Sequence, residues 1–114
     1  MWTVLTVERF DEWFLSLDEL EQVSVLALVK LLEVKGPNLG RPHADTLEGA
    51  KRVKNLKELR IQHQGKPYRV FFAFDPERQA VLLCGGDKTG KKRFYETMIP
   101  IAEQEFLNHL SATD

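Results

Sequence analysis

One cysteine, Cys84, stands in a chain of 114 residues. That excludes an internal disulfide framework and a cysteine-built metal site. Histidine is almost as scarce. His43, His63 and His109 show no ligand spacing and no carboxylate cluster joins them, so neither a metal nor a cofactor is expected. Each histidine reads as an ordinary surface residue. No Ser/His/Asp arrangement is legible, which removes support for covalent catalysis. Long apolar runs are missing too: none approaches the roughly 18 residues of a membrane span. The opening Met1-Trp2-Thr3-Val4 lacks the basic flank and long apolar stretch of a signal peptide. These absences leave the expectation of a cytoplasmic protein without membrane contact. Repeats and low-complexity tracts are absent, and the length allows one core, hence one domain over 1–114.

Charge is what the chain has in quantity, and it is segregated. Formal net charge is only −1, but residues 1–50 hold 4 basic and 9 acidic side chains, a net −5. Residues 51–95 hold 12 basic side chains against 4 acidic ones, a net +8, and residues 96–114 add four acids. A strongly cationic middle third is an electrostatic footprint for a polyanion, either nucleic acid or an acidic protein. The bland alternative is a solvated, solubilising surface.

Periodicity divides the chain. Trp2–Val7 is aromatic and β-branched and reads as a short strand. Phe10, Trp13, Phe14 and Leu17 follow the i, i+3, i+4, i+7 spacing of a helix with one apolar face. Asp18 and Glu21 make a capping box that opens a second helix. Its stripe is Leu20, Val23, Ala27, Leu31 and Val34, widened by Leu26, Leu28 and Leu32, and is expected to be core. Lys35-Gly36-Pro37-Asn38 stops that helix, and Leu39–Leu47 reads as irregular. From Leu56 the period becomes 2, and strands through Ile61, Tyr68–Phe74 and Ala80–Cys84, joined by short turns, predict an antiparallel meander. A last helix is expected from about Lys91, with Phe94, Met98, Ala102, Phe106 and Leu110 on one face and a break near Thr97 caused by Pro100. The class is α+β, expected with its helices on one sheet face and the other face partly open.

Two constellations carry chemistry. Arg60 and Arg69 share a sheet face if an even number of residues turns the chain between them. Like charges set opposite each other destabilise a sheet unless something anionic lies between them. Arginine's planar fork suits phosphate, whereas Glu58 on the same face offers a plain ion pair instead. The second constellation is Lys88, Lys91, Lys92, Arg93 and Tyr95, entering the last helix where the helix dipole disfavours cations. Gly85–Lys92 (GGDKTGKK) nearly matches a phosphate loop, but Lys92 replaces the hydroxyl residue that would bind magnesium, so nucleotide hydrolysis is not indicated.

The combination K-E-L-R (57–60), Y-R-V-F-F-A-F-D (68–75) and G-G-D-K-T-G-K-K-R-F-Y (85–95) resembles the phage-derived, HigB-like toxins of the RelE/ParE superfamily, over nearly the whole chain. That resemblance implies a small antiparallel sheet with two N-terminal helices and a C-terminal helix. It also implies a toxin of a type II toxin–antitoxin module that cuts messenger RNA on the ribosome without a metal. By position in the motifs, Arg60, Arg69, Arg93 and Tyr95 are the implied catalytic residues, and Lys54, Lys57, Lys88, Lys91 and Lys92 the implied contacts to RNA or ribosome. The implied partners are a helix-turn-helix, HigA-like antitoxin, the ribosome and mRNA. The superfamily's ParE branch keeps the fold but inhibits DNA gyrase, so a gyrase inhibitor, or an inactive relative that only binds its partner, is the alternative.

Overall fold

In the computed structural model, which describes residues 1–112, the register of the two strands that carry Arg60 and Arg69 follows from one hairpin. Gln64 and Gly65 have φ of 49° and 79°. Two left-handed residues in a row make the two-residue turn whose twist matches paired strands. It joins β3 (Lys57–His63) to β4 (Lys66–Phe74) with His63 opposite Lys66. β5 (Ala80–Asp87) pairs antiparallel with β4, completing the expected meander.

Two short strands widen it. β1 (Val4–Thr6) lies parallel to β5, and β2 (Ala44–Thr46) lies antiparallel to β3, giving the order β1-β5-β4-β3-β2. The sheet is therefore mixed, and β2 falls within the stretch expected to be irregular. Helices α1 (Glu8–Ser16) and α2 (Glu19–Lys35) follow β1, and α3 (Phe94–Ala112) closes the described chain. The capping box of α2 is formed on both sides, Asp18 accepting from the Glu21 amide and Glu21 from the Asp18 amide. α3 begins three residues later than expected and runs through Pro100 without a break.

The sheet separates two cores. On one face Phe10, Val25 and Leu32 of α1 and α2 pack on Leu59, Ile61, Val70, Phe72 and Leu82. On the other, Phe94, Ala102 and Phe106 of α3 pack on Phe71, Ala73, Val81 and Leu83. Helices thus cover both faces, correcting the one-sided arrangement expected. Each such buried side chain contributes about 1.5–3 kcal/mol, enough in sum to fix which face every strand residue takes. The stripe expected to be core on α2 is corrected in part: Leu32 is buried and Leu28 and Leu31 pack against the core as expected, but Val25, outside the stripe, is buried as well, while Leu20, Val23, Leu26 and Val34 face solvent.

A bulge re-phases β5. Phe71 lies opposite Cys84 and Phe72 opposite Leu82, so Leu83 is the extra residue. Leu83 and Cys84 both enter the α3-side core. From there Gly85 lies under Trp13 of α1, where a Cβ would come within 2.4 Å of the ring, and Gly86 lies under Phe94 of α3. No helix among the described residues is long and apolar enough to cross a membrane.

Candidate active site

Arg60 and Arg69 are direct cross-strand partners, with Gly86 next to Arg69 on β5. One step along the same face, Asp45, Glu58 and Phe71 form the neighbouring row. Two arginines side by side thus abut two carboxylates side by side, which resolves the like-charge repulsion each row would have alone. Glu58, only 2% exposed, is the centre. Arg60 Nε donates to its Oε2 at 3.0 Å, and Arg69 Nε lies 3.5 Å from its Oε1. Arg60 Nη2 also reaches Asp45 Oδ2 at 3.4 Å, and Arg41 Nε holds that oxygen at 2.9 Å.

α3 brings the last member. The Tyr95 hydroxyl donates to Glu58 Oε1 at 2.7 Å and accepts from Arg69 Nε at 3.3 Å. Lys88 Nζ sits 5.4 Å from the centre of the Tyr95 ring, close enough for a cation–π attraction. Burial, then the Glu58 hydrogen bond, raise the Tyr95 pKa, against a smaller opposing pull from Arg69. At neutral pH this hydroxyl stays protonated and acts as a donor. Arg41, Arg60, Arg69 and Lys88 against Asp45 and Glu58 leave the cluster at a formal net +2. Arg60 is 35% exposed and Arg69 12%, so the rim is open while its support is sealed.

Not every residue singled out joins this cluster. Arg93 is 86% exposed, pairs loosely with Glu96 at 3.9 Å, and lines a separate cleft of about 520 Å³ with Lys91, Trp13, Gly85, Gly86 and Phe94. Lys92 is exposed on the approach to α3. Lys54 and Lys57 lie at the other end of β3, around Trp2, Asn55 and Phe74, and Lys57 Nζ donates to Thr46 Oγ1 at 3.0 Å. The ion-pair alternative kept for Glu58 is realised and is larger than foreseen, because one carboxylate serves both arginines and the tyrosine.

Two histidines are structural. His63 points away from Arg60, as strand alternation requires, and its Nδ1 shares a 2.7 Å hydrogen bond with Ser24 Oγ of α2. His109 Nε2 bonds Asp75 Oδ2 at 2.9 Å. Both tie an outer element to the sheet, and neither is the simple surface residue expected. Burial pushes the Cys84 thiol up to about 12, in keeping with an inert thiol.

Residues 12–107 match the family described as phage derived protein Gp49-like. A Mycobacterium tuberculosis protein named toxin HigB3 is 44% identical over 110 residues, spanning 96% of this chain and 94% of that protein. Another from the same organism, named toxin HigB2, is 43% identical over 112 residues, but this chain spans only 55% of its length. The solved E. coli RelBE toxin–antitoxin complex contains a chain that superposes with a TM-score of 0.53 at 16% identity, over 75% of this chain and 95% of that one, a likeness of fold.

Proposed function

The chain belongs to the phage-derived Gp49-like family, and we propose on that premise that it is the HigB-type toxin of a toxin–antitoxin pair, acting as a ribosome-dependent endonuclease on messenger RNA. The observation that carries this reading is the convergence of Arg60, Arg69 and Tyr95 on the buried Glu58. In the reaction, a ribose 2′-hydroxyl gives up its proton to water as its oxygen bonds to the adjacent phosphorus, the bond from phosphorus to the 5′-oxygen breaks to leave a cyclic phosphate, and the departing 5′-oxygen takes a proton. The phosphorane formed on the way carries extra negative charge, and two preorganised guanidinium groups supply the countercharge in place of a metal. Tyr95, held protonated, supplies a hydrogen bond or the proton to the departing oxygen. Glu58 has its oxygens occupied by hydrogen bonds from Arg60 and Tyr95 and by the Arg69 ion pair, so it positions the others rather than taking a proton itself.

Lys88, Lys91 and Lys92 would meet flanking phosphates of message or ribosomal RNA, since they stand beside Tyr95 or on the exposed approach to α3. Lys54, Lys57 and Arg93 stand outside the Glu58 cluster and would serve as outlying electrostatic contacts. The silencing partner is an antitoxin with a helix-turn-helix domain. A translating extract with a defined message tests the reading. Wild-type protein should give codon-spaced cuts, and Arg69→Ala should lower their rate about 10²–10³-fold. An intact message would refute it.

One observation favours a second reading: both arginines are already ion-paired to Glu58. A site whose cations are partly neutralised suits binding without cleavage, as in a gyrase inhibitor or an inactive relative. Accumulating DNA cleavage complexes without RNA loss in a supercoiling assay would mark the first, and unaffected growth on expression alone the second.

A further inference from the structure

Helix α2 is apolar on two sides. Its inner side, with Val25 and Leu32, is sealed against the sheet. Its outer side leaves Leu20 63%, Val23 58%, Leu26 51% and Val34 58% exposed. Scattered surface leucines need no explanation, but a helix apolar all round is normally buried all round. Leu20, Val23, Ala27, Lys30 and Val34 also step by 3, 4, 3 and 4 residues, the spacing of a coiled-coil seam about 21 Å long. Such a seam is complementary to another helix.

We propose that this seam is the docking surface for an amphipathic helix of a partner chain whose flank is basic. The identity of that partner as the antitoxin rests on the toxin reading; the shape and charge of the surface do not. Charge chooses the occupant. The flank one residue before each Leu20-type seam position carries Glu19, Leu26 and Glu33. Against a second copy running antiparallel about Ala27, Glu19 would meet Glu33 of the copy, twice, and Lys30 would be driven against Val23. Against a parallel copy Lys30 would face its own counterpart in the seam. Like charges and an unpaired buried ammonium count against both arrangements. An RNA is repelled as well, because residues 1–50 carry a net −5. A partner helix with apolar residues opposite Leu20, Val23, Ala27 and Val34, lysines or arginines along Glu19 and Glu33, and an acid near Lys30 satisfies every group.

The seam also stands apart from the candidate active site, since α2 packs on the sheet face opposite Tyr95. Two synthetic helical probes with one apolar seam, one lysine-flanked and one glutamate-flanked, test the proposal by fluorescence anisotropy on the full chain. The lysine probe should bind at least tenfold more tightly, Val23→Asp should abolish that binding with an unchanged circular dichroism spectrum and melting temperature, and Glu19→Lys with Glu33→Lys should reverse the preference. Equal binding of both probes, or of neither, overturns it. So does a sedimentation-velocity dimer that Val23→Asp dissolves, which would make a second copy the occupant. None of these readouts depends on RNA cleavage, so a failed nuclease assay and a failed docking assay remain distinct.

Discussion

Replacing Glu58 by glutamine keeps the volume of the side chain and removes its charge. Arg69 then has lost its carboxylate at 12% exposure, keeping only the Tyr95 hydroxyl and the Tyr68 carbonyl, which its Nη1 reaches at 3.1 Å. Breaking a well-buried ion pair from one side costs about 3–5 kcal/mol. Arg60 adds little, because it is about a third exposed and retains Asp45. Tyr95 can still donate to the amide oxygen, so its loss is below about 1 kcal/mol. The expected cost is about 3 kcal/mol, at the low end because the rim is wet. For a domain of this size each kcal/mol moves the melting temperature by roughly 4 °C, so Glu58→Gln should melt about 12 °C below wild type by calorimetry. Arg69→Met tests the cause. In the Glu58→Gln background it should be nearly neutral or stabilising, because the orphaned charge goes with it, giving a coupling above about 1 kcal/mol. A shift under about 3 °C, or no coupling, would refute the claim that Glu58 holds buried cations in place.

Tyr95→Phe removes only the donor; melting should fall by no more than about 4 °C while message cleavage drops about 10²-fold, and equal activity would remove Tyr95 from the chemistry. Gly85→Ala drives a methyl group toward the Trp13 ring and should cost about 1–3 kcal/mol in chemical denaturation, whereas the open turn glycine Gly90, at φ 68°, should lose only the smaller backbone strain. Iodoacetamide at pH 8 should leave Cys84 unlabelled in the folded chain and label it fully in denaturant, because burial keeps its thiol protonated. Acid should loosen the fold through Asp75 and Glu21. Burial raises Asp75, but hydrogen bonds from His109 and the Gln79 amide outweigh it, and the Tyr68 hydroxyl bond lowers Glu21. Both carboxylates sit below their unfolded values, so their stabilisation is complete above about pH 4 and is lost as pH falls through the folded values. Asp75→Asn should flatten that acid limb of a urea-midpoint profile.

Local rules carried the sequence reading a long way. Alternation from Leu56 onward, the turns and the capping box located the meander and α2 without help, and an even turn put Arg60 and Arg69 on one face. What periodicity could not supply was the choice between two apolar faces. It groups Leu20, Val23 and Val34 on one side of α2 and adds Leu32 only as a widening of that stripe, but nothing local says that the side holding Val25 and Leu32 is the one that meets the sheet. The Leu83 bulge was equally hidden, since AVLLC is apolar throughout and strict alternation would have turned Gly86 away from Arg69. Charge counting placed Lys54 and Lys57 in the same cationic third as Arg69, although strand parity sends Lys57 to the other face and loop geometry sends Lys54 to the far end. Glu58 was seen as one arginine's neutraliser. Its sharing among Arg60, Arg69 and Tyr95 depends on α3 crossing β4, a contact 37 residues away in sequence.

The most direct trial of the cluster as a sugar–phosphate site is a message in which one ribose at a mapped cut position lacks its 2′-hydroxyl. Translated with wild-type protein, it should lose that cut alone, while other positions still yield 5′-hydroxyl ends. Undiminished cleavage at the 2′-deoxy position would contradict a reaction in which that oxygen attacks the phosphate held by Arg60 and Arg69.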